Sequence, residues 1–227
     1  MSWILVAAIL VGAPQPAVLH LSPPEALAEI ADEVHTGSLI VSKGDCLAIK
    51  IYSASAYTHV ATVVMHEGEA IVYDATGGAG VRRQSLADYL VAQTDNTLYL
   101  FHPCRPFSEV CAARFEEHLK NQLGRPYAIH HHLTGERAAG LHCSEYVCDA
   151  LIAAETLHAR QPSRVSPASL VEGVLKAKLY EPGEVVQLHP EPPERPVPSS
   201  WCARLWFDTK LCTRTCCGKL RGWFLCK

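Results

Sequence analysis

Cys143 stands in Leu141-His142-Cys143-Ser144-Glu145-Tyr146-Val147, where a loop gives way to a helical pattern. A thiol in the first turn of a helix sits at the positive end of the backbone dipole, which favours thiolate over thiol. That is where a nucleophilic cysteine belongs. The competing role is a small core residue, which is what most cysteines are, and Cys148 in the same helix suits it. A thiol nucleophile needs an imidazole to take and return its proton. Of the twelve histidines, His59 in Ala56-Tyr57-Thr58-His59-Val60-Ala61 is best placed, at the beginning of a strand pattern. His66 falls at a turn, and His20, His35, His158 and His189 lie near element ends. His130-His131-His132, with His142 and Cys143, is the alternative metal-ligand set. It lacks the i, i+4 spacing of a helical pair, so neither metal nor another cofactor is expected.

An imidazole acting as base needs a third group to fix its tautomer. If Glu67-Gly68 forms a two-residue hairpin turn, His66 faces Glu69 and Ala61 faces Asp74. His59 and Asp74 then share a face as diagonal neighbours, a gap that an imidazole and a carboxylate bridge. A register slip of one residue would send them to opposite faces. Asp74 is therefore either the orienting acid or an ordinary strand-end aspartate.

The elements that must hold these groups follow from period and punctuation. Ser22-Pro23-Pro24-Glu25 opens a helix to about His35, with Gly37 as its stop. Cys46 to Ile51, Thr58 to Met65, Ala70 to Ala75 and Thr97 to Phe101 read as strands, being short, rich in Val, Ile, Tyr and Thr, and bounded by turn residues. Ser108 caps a helix in which Cys111, Phe115, Leu119 and Leu123 recur every fourth residue, ending at Gly124. A second helix runs from about His142 to His158, and a third begins at Ser166-Pro167.

The 227 residues amount to one domain with appendages. Residues 1–17 carry an apolar run, Trp3 to Val11, of signal-core length and too short to span a bilayer. It reads as an export signal or short anchor, or as a buried first element. The catalytic body is expected over 18–181. Six prolines between Pro182 and Pro198 make 182–200 an extended spacer. The tail, 201–227, carries five of the ten cysteines and six Lys or Arg against one Asp, a mixture suited to a membrane interface or to a disulfide-closed tail. Export or membrane association is favoured slightly over the cytoplasm. No repeated CxxC spacing points to structural zinc. The net charge of −3 lacks the basic excess of a nucleic-acid binder, so that partner class is set aside.

Gly44-Asp45, Tyr57-Thr58-His59-Val60, Tyr73-Asp74-Ala75, Leu123-Gly124-Arg125-Pro126-Tyr127 and His142-Cys143-Ser144-Glu145 occur in that order, histidine before cysteine. Over about residues 37 to 175 this resembles the circularly permuted papain-like NlpC family, in particular its YiiX/YaeF-like amidase branch. The resemblance implies an α+β, papain-like fold with an antiparallel sheet packed on the helix that bears the nucleophile. It implies a thiol hydrolase in which Cys143 attacks an amide or ester carbonyl, His59 shuttles the proton and Asp74 aligns His59. Tyr57, Tyr127 and Ser144 would then line the substrate site, with the Cys143 backbone N–H holding the oxyanion. Two positions depart from the family pattern: Asp74 stands where glutamate is usual, and Ala128 follows Tyr127 where aspartate is common.

The expected substrate is a peptide, amino-acid or cell-wall-type amide. The alternatives are a lipid-directed acyltransferase or esterase resembling lecithin retinol acyltransferase, and a membrane-proximal binding module without activity. A membrane surface, reached through the N-terminal segment or the tail, is the further partner expected.

Overall fold

The computed structural model describes residues 17–43, 57–129, 135, 137, 139–190 and 201–225. A 7-stranded sheet forms the middle layer. Its strands are β1 (Val18–Leu21), β2 (Leu39–Lys43), β3 (His59–His66), β4 (Glu69–Thr76), β5 (Gly80–Ser85), β6 (Thr97–Pro103) and β7 (Tyr180–Leu188), in the order β1-β7-β6-β2-β3-β4-β5. The helices are α1 (Pro23–Ile30), α2 (Leu86–Ala92), α3 (Glu109–Asn121), α4 (Cys143–Ala153), α5 (Pro167–Lys176) and α6 (Trp201–Leu225).

Strand alternation divides the core in two. Val60, Val64, Tyr73 and Ala75 face Phe115 and Leu119 of α3, Tyr146 and Val147 of α4, and Leu170 and Val174 of α5. Ala61, Val63 and Val72 face Ala26 and Ile30 of α1 and Leu86, Tyr89 and Leu90 of α2. Both faces of the sheet are thus covered by helices, which explains why β3 is buried nearly throughout instead of alternating buried and wet.

The β3–β4 hairpin has the expected register, with His66 opposite Glu69 and Thr62 opposite Tyr73. Glu67 and Gly68 turn it with φ of 51° and 87°, as a tight hairpin of the primed type requires. Ser108 caps α3 by accepting from Cys111 N–H, and Ser166 caps α5 in the same way through Ser169.

Three readings are corrected. The sheet is mixed, because β1 runs parallel to β7 while the other pairings are antiparallel. The spacer expected over 182–200 gives way, as far as Leu188, to β7, which lies inside the sheet between β1 and β6. Pro182 is tolerated because it sits beside an irregularity in the β6–β7 register, opposite Phe101. Beyond it Val185, Val186 and Leu188 are buried, and their apolar content outweighs the proline signal. Finally, α1 ends at Ile30, before the expected His35, and α4 at Ala153, before His158. The expected strand Cys46 to Ile51, Gly44-Asp45, His130 to His132, the apolar run Trp3 to Val11, and 191–200 lie outside the described residues.

Candidate active site

Helix α4 begins with His142 as its N-cap, in extended conformation, while its Nδ1 accepts from Glu145 N–H at 3.2 Å. Its Nε2 donates to the Ser163 carbonyl at 2.8 Å. Burial works against charge on this ring, and Cys143, the Ser163 carbonyl and Glu145 outweigh it, raising His142 above its ordinary value. The next residue is Cys143, 3% exposed, in the first turn of the helix. Ser144 Oγ donates to the Val165 carbonyl at 2.6 Å, so the side chains on either side of Cys143 pin the start of α4 to the segment 163–165. Cys143 therefore sits on a doubly anchored helix end.

His59 opens β3 and Asp74 lies in β4. His59 Nε2 lies 3.3 Å from Asp74 Oδ2, and the same side chain interacts with Cys143. Asp74 is fully buried and faces Arg82 directly across the β4–β5 ladder. Arg82 Nε donates to Asp74 Oδ1 at 2.9 Å and its second nitrogen to Oδ2 at 3.3 Å. This two-pronged grip holds the carboxylate plane fixed. Arg82 is the participant that sequence reading missed. Its signal was the strand pattern Gly80-Val81-Arg82-Arg83 after the turn at Gly77-Gly78, which places a cation one strand beyond the carboxylate.

Electrostatics follow from these contacts. Burial opposes ionisation of Cys143, but the hydrogen-bonding reach and charge of His142 and His59 outweigh it and bring the thiol down to about 5. Burial likewise opposes the His59 imidazolium, and Asp74 with Cys143 overcomes it, raising His59 to about 10. For Asp74, burial works against charge and is outweighed by His59 and Arg82, which keep it below the usual carboxylate value. Cys148 provides the contrast: burial pushes its thiol up to about 12.

Tyr127 pairs with Leu141 in a parallel bridge, through Ala128 N–H to Leu141 carbonyl at 3.2 Å and Leu141 N–H to Pro126 carbonyl at 3.0 Å. This ladder carries Tyr127 to the neighbourhood of Cys143, where burial and then the thiolate charge hold its phenol protonated. Gly80 secures the approach. Its φ is +70°, and a Cβ there would stand 2.4 Å from the Arg125 carbonyl oxygen, which accepts from Val81 N–H. Tyr57 packs edge-on against Tyr99, ring centres 5.2 Å apart, beside the core that contains Cys143. Ser144, expected at the substrate, spends its proton on Val165 instead. Tyr89 of α2 is fully buried on the sheet face that carries Val72 and Asp74, and burial, Asp74 and Cys143 raise its phenol well above the ordinary value.

Among the described residues no three His, Cys, Asp or Glu side chains converge as metal ligands. No family model matches the chain, and no curated protein matches it. Among solved structures, the chain is similar to the crystal structure of the metalloprotein YiiX from Escherichia coli O157:H7, at 20% identity and a TM-score of 0.47, over 55% of this chain and 68% of that one.

Proposed function

We propose that this protein is a thiol hydrolase acting on an amide or activated acyl bond, with Cys143 as nucleophile, His59 as acid and base, and Asp74 orienting His59. The observation that carries this reading is the unbroken line from the thiol at the α4 N-terminus through His59 and Asp74 to Arg82. A purely structural cysteine has no use for an imidazole set 3.3 Å from a buried carboxylate.

In the proposed cycle, Cys143 Sγ⁻ adds to the carbonyl carbon and the oxygen becomes an oxyanion beside the Cys143 backbone N–H and the α4 dipole. His59 gives its proton to the leaving nitrogen, the C–N bond breaks, and an acyl thioester remains on Cys143. Neutral His59 then removes a proton from water, whose oxygen attacks the thioester. Collapse releases the acid and restores thiolate and imidazolium. Asp74 keeps His59 aimed at sulfur throughout.

The test is intact-mass analysis after mixing the full chain with a panel of chromogenic acyl amides and esters. The expected result is an acyl adduct mapping to Cys143, absent in Cys143→Ala. An adduct elsewhere, or turnover that survives Cys143→Ala, overturns the assignment. Amides turned over in preference to long-chain esters point to a peptide or amino-acid substrate, and the reverse preference to a lipid.

A further inference from the structure

Helix α6 is the part of the chain that the catalytic reading leaves unused. With successive residues about 100° apart around a helix, Cys212, Leu205, Cys216, Cys202, Trp206 and Cys217 fall in order across an arc of about 140°. No Lys, Arg, Asp or Glu of the helix falls inside that arc. These six residues are all exposed. Lys210 and Arg214 border one side of the arc, and Asp208 stands beyond the other. Lys210 Nζ stands 5.0 Å above the Trp206 ring, so a cation lies over the aromatic at the border, as at a water–hydrocarbon boundary.

We infer that α6 is an interfacial helix that binds the surface of an anionic lipid bilayer. It lies in the plane of the surface, with the cysteine–tryptophan face toward the acyl chains and Lys210 and Arg214 at the phosphates. Charge complementarity selects this occupant: Asp208 is the single acidic residue of 201–227, against six Lys or Arg. The geometry is lying, not spanning, because no described helix is long and apolar enough to cross a membrane. This inference is independent of the Cys143 chemistry.

The experiment is flotation of the full chain, under reducing conditions, with vesicles of pure phosphatidylcholine or of phosphatidylcholine containing phosphatidylserine, alongside its mass in solution by light scattering. The expected result is a monomer that floats with the anionic vesicles, at least tenfold less with neutral ones, and is released by high salt. Leu205→Glu/Trp206→Glu abolishes flotation without changing the melting temperature of the body. Three outcomes overturn the inference: no flotation on anionic vesicles, equal flotation on both, or a dimer that the double variant dissociates.

Discussion

His59 Nε2 and Asp74 Oδ2 are 3.3 Å apart because a two-residue turn at Glu67-Gly68 sets a register in which residues of opposite parity on β3 and β4 share a face. The pair's geometry is a property of the hairpin. The thiol is the element brought to it from elsewhere in the chain, by α4.

The first consequence is in alkylation. Cys143 is expected to react with iodoacetamide at about pH 6, where an ordinary thiol is almost wholly protonated, and to lose reactivity as the pH falls through about 5. In His59→Ala the midpoint moves up toward the ordinary thiol range. Peptide mass mapping reads Cys143 separately from Cys148 and from the exposed tail cysteines. An unchanged midpoint in His59→Ala removes His59 from its role.

The same pair shapes stability against pH. Cys143 is depressed from 9.0 to about 5 on folding, and its contribution is lost as the pH falls. His59 is raised from 6.5 to about 10, and its contribution is lost as the pH rises. Between about 6.5 and 9 folded and unfolded chains bind equal numbers of protons at these sites, so the contribution is flat. Urea midpoints of the wild type minus those of Cys143→Ala should form a plateau there, declining on both sides. A difference independent of pH from 5 to 10 contradicts the ion pair.

Arg82 is 34% exposed on its side chain, so solvent screens part of its attraction for Asp74. Arg82→Gln is expected to cost about 1–2 kcal/mol of stability and to reduce turnover about tenfold by letting the carboxylate rotate. Asp74→Asn should cost more turnover than Arg82→Gln, roughly 10²-fold, by weakening the hold on the imidazole, and less than His59→Ala. Arg82→Lys restores charge but not the two-pronged geometry, and should recover stability ahead of rate. Turnover in Arg82→Gln equal to wild type would make Arg82 a structural partner only.

His142 holds the start of α4 by its ring. His142→Ala removes the cap and strands the Ser163 carbonyl, for a loss of about 1–3 kcal/mol by thermal unfolding. His142→Asn restores the cap alone and should recover about half. If alkylation of Cys143 at pH 6 slows in both variants in proportion to lost stability, His142 acts by placement. Slowing without destabilisation would mean that it acts on the thiol directly.

Much of the site was legible because it depends on local devices. The turn at Glu67-Gly68 fixed the register of His59 and Asp74, and a loop-to-helix junction placed Cys143 in a first turn. Arg82 escaped because β5 follows a glycine-rich turn and was not read as a strand. Ser144 was assigned to substrate because nothing in a linear pattern shows that Val165, twenty-one residues on, takes its proton. The cap at His142 was missed for the same reason, since Ser163 lies far along the chain. In the fold, β7 was hidden by its proline, which composition counts against a strand but which a register irregularity accommodates.

The parallel pairing of β1 with β7 bears on how the body resists force. Val18 lies beside Val185, and Leu21 beside Leu188. A pull applied through the residues before Val18 and after Leu188 drags the two strands along their lengths in opposite directions. The ladder bonds are then loaded together in shear, and none is peeled ahead of the rest. In the sheet order, β6 and β2 still stand between this pair and β3. Tension from a tethered tail therefore ends in the β1–β7 ladder, and the distances among Cys143, His59 and Asp74 stay as they are.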